Sequence, residues 1–154
     1  NGRFLAVNIG AAAGANGVLY SKVINDIIPN QPVIVDAYVA NLLRANFVGG
    51  VDPSFSFALV DAAGNVVAQQ PPIPPTPNPT GIPPIPPIPR SNTWVLRSVS
   101  LNPGTNTTLT FRVRSGSILY NGNDAAIDDI RVYQLPKACI TPRDLKIEKG
   151  KNKT

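Results

Sequence analysis

Apolar residues recur along this chain in short runs of alternating character, separated by turn residues, and helical periodicity with helix caps is missing. Arg3–Asn8 and Gly17–Ile24 read as strands around an alanine- and glycine-rich loop. Val33–Leu43 is rich in β-branched residues and follows the turn Asn30-Gln31-Pro32. In Ser54–Val60 the side chains of Phe55, Phe57 and Leu59 share one face, with Ser54, Ser56 and Ala58 on the other. Asp61-Ala62-Ala63-Gly64-Asn65 then supplies hairpin chemistry before Val66–Gln69. Thr93–Leu101 precedes the turn Asn102-Pro103-Gly104-Thr105. Thr107–Ser115 directs Leu109, Phe111 and Val113 inward and Thr108, Thr110, Arg112 and Arg114 outward. Ala125–Leu135 forms the final strand, with Ile130 and Val132 turned to the core. Short strands with turns between them predict an all-β antiparallel β-sandwich of the jelly-roll kind.

One stretch departs from that pattern. Residues 71–90 hold most of the 17 prolines, in Pro-Pro-Ile and Pro-Ile-Pro units. Proline lacks the donor that a strand ladder needs, so the segment reads as a polyproline II insertion in the sandwich. It is either a stiff surface loop or a preorganised contact arm, whose Ile82, Ile85 and Ile88 would anchor on a neighbour. The expected organisation is a jelly roll over 1–136 and an extended basic tail over 137–154.

Composition narrows the chemistry. The 154 residues include no His, no Met and one Cys, Cys139. A Ser-His-Asp or Cys-His relay, an imidazole metal ligand and an internal disulfide are therefore excluded. The only Glu, Glu148, lies in the tail, and the aspartates show no spacing of a carboxylate pair across a cleft. The chain reads as non-catalytic. Most of the net charge of +5 sits beyond Lys137, leaving a body of nearly balanced charge without the basic stripe of a nucleic-acid module. No apolar run reaches membrane-span length. The sequence opens at Asn1 without an apolar leader, and reads as a processed product or a piece of something longer. Low Lys, Glu and Cys content and Asn/Thr/Gly/Pro-rich loops favour an extracellular or cell-surface protein.

The order of motifs resembles a known family. Gly2-Arg3-Phe4-Leu5-Ala6-Val7-Asn8, Leu19-Tyr20-Ser21, Ala37-Tyr38-Val39-Ala40-Asn41-Leu42 and Phe57–Ala68 come first. Asn92-Thr93-Trp94 and Gly122-Asn123-Asp124-Ala125-Ala126-Ile127-Asp128-Asp129-Ile130 complete the series. Over about Asn1–Leu135 this resembles the jelly-roll, galactose-binding-like modules of large bacterial surface and adhesin proteins, similar in plan to carbohydrate-binding modules. Two departures stand out. Such modules begin with one more strand ahead of the segment matched by Gly2–Asn8, and their loop at residues 71–90 is shorter. The first departure implies a vacant strand position with unpaired backbone groups.

Candidate sites follow from residue chemistry and from the resemblance. Asp124, Asp128 and Asp129, with Asn121 and Asn123, form the densest oxygen cluster in the sequence. Oxygen ligands suit Ca²⁺, and the resemblance implies a structural calcium at Asp128, with Asp129, Asp124 or Asn123 contributing. The competing reading is a cluster of Asx turns bonding its own backbone. Trp94 and Tyr38 are the candidate carbohydrate-stacking residues, against an ordinary role in packing. Asn106, in Asn106-Thr107-Thr108, is a candidate glycosylation site. In the tail, Leu145 and Ile147 alternate with Asp144, Lys146 and Glu148 like a short strand. Two functions emerge. The first is a structural subunit of an extracellular fibre or adhesin, whose copies join through strand addition and the proline arm. The second is a carbohydrate-binding module.

Overall fold

A computed structural model describes residues 3–8, 17–50, 52–70, 88–91, 93–115 and 124–136. Eight strands follow in order: β1 (Leu5–Asn8), β2 (Val18–Ile24), β3 (Val33–Asn41), β4 (Phe55–Val60), β5 (Val66–Gln69), β6 (Val95–Leu101), β7 (Leu109–Ser115) and β8 (Asp124–Tyr133). They form two four-stranded sheets, ordered β1-β8-β3-β6 and β2-β7-β4-β5, with antiparallel pairing throughout. Chain neighbours therefore mostly lie in opposite sheets, as in a jelly roll. The expected all-β antiparallel sandwich is the fold observed.

The core lies between the sheets and follows the alternation of the strands. Val33, Val35, Ala37 and Val39 of β3 face Phe55, Phe57 and Leu59 of β4 and Leu109, Phe111 and Val113 of β7. The rings of Phe57 and Phe111 sit 6.0 Å apart, and Tyr20 of β2 approaches Phe111 at 6.3 Å. Ile130 and Val132 are only half-buried against this core, although alternation alone would sink them fully. β1 pairs with Asp124–Ile127 and no further, so no described strand covers the far half of β8 on that side. There Ile130 and Val132 line an open cleft of about 470 Å³ shared with Tyr20, Ile24 and Phe111.

A bulge in β8 decides which way its aspartates face. Asp36 pairs with Arg131 and Tyr38 with Asp128, so Asp129 and Ile130 together oppose Ala37. Asp129 takes the left-handed conformation that such a bulge requires (φ 49°), and its N–H donates to Asp128 Oδ1 at 2.8 Å. Strict alternation would group Asp128 with the inward-facing Ile130 and Val132. The extra residue reverses that, and Asp128 lies on the outer face opposite Tyr38.

Ile88 corrects a second expectation. It is 0% exposed within the protein's own core, not an anchor offered to a neighbour. Its N–H donates to the Pro53 carbonyl and its carbonyl accepts from Asn41 Nδ2 at 2.8 Å. Asn41 Nδ2 also reaches Asp52 Oδ1 at 2.9 Å, while Asn41 Oδ1 accepts from the Leu43 N–H. Arg90 completes the knot by donating to Asp52 Oδ1 and to the carbonyls of Phe47 and Gly50. Asn41 is almost fully buried, and these bonds satisfy it. They tie Ile88 and Arg90, a few residues ahead of β6, to the end of β3 and the loop after it. The rest of the proline-rich stretch, with Ile82 and Ile85, and the tail with Leu145 and Ile147 lie outside the described residues.

Candidate functional site

On the β1-β8-β3-β6 sheet, the pairing registers place one row of side chains outward from each strand. Tyr38 of β3 is opposite Leu96 of β6 and Asp128 of β8; one step along, Ala40 is opposite Ala126, which is opposite Ala6. Trp94 precedes Val95, the partner of Val39, and so stands beside Ala40 on the same face. Phe4 precedes β1 and reaches the same face from the opposite edge. The two rings meet edge to face with centroids 5.9 Å apart.

That contact spans the sheet. β1 and β6 are separated by β8 and β3, a gap of about 14 Å at ordinary strand spacing. The two rings close it by lying over the small side chains between them. Ala126 is 1% and Ala40 9% exposed although both sit on the outer side. The rings themselves stay open to solvent: Phe4 is 54%, Trp94 45%, Leu96 50% and Tyr38 39% exposed. The alanines make a low floor beneath the two rings. Aromatic surface left in water at this density marks a contact face.

Polar groups follow along the same face. Asp36 is opposite Ser98 and Arg131, and its carboxylate accepts from the Tyr133 hydroxyl at 2.9 Å. This bond, aided by desolvation and by the negative charge of Asp36, pushes the Tyr133 phenol above its ordinary pKa. Beyond it, Ile34 is opposite Ser100 and Tyr133. There the face runs into a groove of about 660 Å³ lined by Asn30, Gln31, Ile34, Ser98, Ser100 and Leu135, among others. Gln134 holds one wall, donating through Nε2 to the carbonyls of Ile28 and Gln31 and accepting from the Ile28 N–H. Gln31 Nε2 donates to the Leu135 carbonyl, and Gln31 Oε1 is buried without a hydrogen-bond partner.

No protein-family model matches this chain, and no curated protein matches it at a significant level. Solved structures do. The C-terminal domain of EclA, a sugar-binding protein, superposes with a TM-score of 0.59 at 14% identity, covering 86% of this chain and 79% of that one. The CBM22-1 xylan-binding domain of Paenibacillus barcinonensis Xyn10C matches with a TM-score of 0.45 at 13% identity, covering 77% of this chain and 65% of its own. The fold is a two-sheet jelly roll similar to that of the EclA C-terminal domain. At such low identity the likeness fixes the fold and leaves the ligand to be argued from the site.

Within this jelly roll, Trp94 and Tyr38 fall on one face as neighbours. Their partners Phe4 and Leu96 escape a reading of the sequence. Both lie in strands where either alternating set is apolar enough to be core, and only the register reveals the exposed one. The three alanines at matching positions of β1, β8 and β3 are the signal, visible once the strands are aligned.

The carboxylates do not assemble a calcium site among the described residues. No group of three or more acidic or other metal-ligating side chains converges there. Asp128 caps the bulge, Asp129 stands 3.5 Å from Arg131, and Asp124 lies four positions back, about 13 Å along the strand. The Asx reading describes the backbone bond at Asp128. Asn123 lies outside the described residues. Asn106 stands in a surface turn, where its Nδ2 donates to the Pro103 carbonyl at 2.8 Å. No helix among the described residues is long and apolar enough to cross a membrane.

Proposed function

We propose that this domain is a non-catalytic carbohydrate-binding module of an extracellular or cell-surface protein, and that it binds glycan on the outer face of the β1-β8-β3-β6 sheet. The observation that carries this reading is the exposed aromatic cluster of Trp94, Phe4 and Tyr38 over the Ala40–Ala126 floor. A pyranose ring offers an apolar C–H face and a polar rim of hydroxyls. Flat rings in water take up the first; Asp128, Asp36 and Ser98 alongside them supply acceptors and donors for the second. The cluster needs no catalytic partner, and the chain has no His to act as a base. Affinity electrophoresis through gels containing soluble polysaccharides tests this. Retardation by at least one polysaccharide, lost in Trp94→Ala at an unchanged melting temperature, is the expected result. Retardation that survives the substitution removes the aromatic face from the reading.

One observation keeps a second reading in view. The edge of β8 that no described strand covers, beside the Ile130–Val132 cleft, is a place where an added strand would find both backbone groups and apolar side chains. Copies joined there would make the domain a structural subunit of a fibre or adhesin. Sedimentation at rising concentration tests it, and a monomer throughout ends it.

A further inference from the structure

We infer that the ligand is an extended polysaccharide chain and not a terminal sugar, because the groove at Ile34 and Ser100 continues the aromatic face as further subsites. This deepens the carbohydrate-binding reading and rests on it.

The two features share one surface. Trp94, Leu96, Ser98 and Ser100 are alternate residues of one strand segment, all outward and all exposed or half-exposed. From Trp94 to Ser100 they span about 20 Å at the rise of a β-strand. That is the length of several linked sugar rings. On the neighbouring strand, Tyr38, Asp36 and Ile34 run parallel to this row. An aromatic end, a polar middle and a part-apolar groove thus follow one line across the sheet.

The groove has the chemistry of a sugar subsite. Its volume of about 660 Å³ is in the range of small-molecule pockets. Ile34 and Leu135 provide apolar walls, and Ser98, Ser100 and Asn30 provide hydroxyl and amide groups at its rim. Gln31 forms part of the groove wall, its amide nitrogen donating to the Leu135 carbonyl. A terminal sugar stacked on Trp94 would leave this end untouched.

Titration calorimetry with cello-, xylo- and laminari-oligosaccharides tests the inference, comparing disaccharide with hexasaccharide for each. The wild-type chain should bind one hexasaccharide at least about tenfold more tightly than its disaccharide. Ser100→Glu, at an exposed position of an edge strand, should bring the hexasaccharide down to the disaccharide's affinity and leave the disaccharide unchanged. Trp94→Ala should abolish both. Equal affinity for the two lengths, or a hexasaccharide affinity untouched by Ser100→Glu, overturns the extended site while the aromatic face stands. Failure of every oligosaccharide to bind the folded wild-type chain overturns the carbohydrate reading and this inference with it.

Discussion

The two sheets turn outer faces of opposite finish to solvent. On β4 of the second sheet, Ser56, Ala58 and Val60 are buried on the outward side, flanked across the pair by Arg114, Arg112 and Thr110 of β7. Arg114 and Gln69 there are spent on one another and on Ser56. Arg114 donates to Gln69 Oε1 at 3.0 Å, and Gln69 faces Ser56 Oγ at 3.4 Å. On the first sheet, small outward residues are likewise covered, but by Phe4 and Trp94, which keep about half their own surface in water. A face finished with polar chains, without an aromatic ring among its described residues, offers little for a partner to stack on. A face finished with aromatic rings has its largest unmet interaction pointing outward. Both sheets bury one side in the same core, so the contrast belongs to the outer sides alone.

Breaking the shared core should give the largest effect and erase the contrast altogether. Phe57 and Phe111 are each 1% exposed and pack side by side on the inner face of the second sheet, against the first. Truncating either to Ala should cost roughly 3–5 kcal/mol, from lost burial plus the cavity left behind. Chemical denaturation checks this, with both faces lost in one transition. A variant retaining wild-type stability would mean that the rings are not the keystone between the sheets.

The next effect separates scaffold from site. Asn41→Ala deletes the amide that bridges the Ile88 carbonyl, Asp52 and the Leu43 N–H. Leaving such buried groups without partners costs about 1–3 kcal/mol. The start of β6 should loosen with it, so Trp94 fluorescence should shift and glycan affinity should weaken although Asn41 touches no ligand. Removing Asp52 alone should cost less, since its pair with Arg90 is partly solvated and screened.

The direct comparison is between Trp94→Ala and Arg112→Ala. Losing a central aromatic anchor is expected to cost about 2 kcal/mol or more of binding energy. Its effect on stability should be small, because the ring is half in water. Arg112 stands on the opposite outer face, and its replacement should leave glycan binding unchanged. If Arg112→Ala weakens binding as much as Trp94→Ala does, the finish of the two faces does not decide function.

What the sequence discloses of this contrast depends on how local each feature is. The alternation of Phe55, Phe57 and Leu59 and of Leu109, Phe111 and Val113 is local, and both sets are buried as it predicts. The jelly-roll plan was legible from such runs and from the motif order. Alternation alone misplaces Asp128, because one inserted residue at a bulge flips everything before it, and neighbouring aspartates do not announce a bulge. Ile88 was misread because proline density marked the whole stretch as exposed, while its last isoleucine drops into the core on a bond to Pro53. The aromatic face needed register. Trp94 and Tyr38 were legible as ring chemistry, but Phe4, at the opposite edge of the sheet from Trp94, becomes their neighbour only when β1, β8, β3 and β6 are laid side by side.

The smallest expected effect concerns the β4–β5 turn, at the rim of the second sheet. The Asp61 carboxylate accepts from the Asn65 side chain at 2.9 Å and from the Asn65 N–H at 2.8 Å, and Gly64 takes the left-handed conformation between them (φ 87°). These bonds, the side-chain one foremost, hold the carboxyl below its ordinary value of 3.8. A carboxyl lowered by folding stabilises the native state above its unfolded value, and that contribution is lost as pH falls through the folded one. The turn should therefore be at full strength at neutral pH and weaken only in acid, below 3.8. Asp61 is fully solvated, so the effect on global stability should be slight. Its signature is local: a carboxyl titration followed by NMR should have its midpoint below 3.8, and Asn65→Ala should bring it back. A midpoint that stays put in Asn65→Ala would show that the turn is held by Gly64 and backbone geometry alone. Glycan binding on the opposite face should not follow this titration, since nothing in the aromatic cluster contacts the turn.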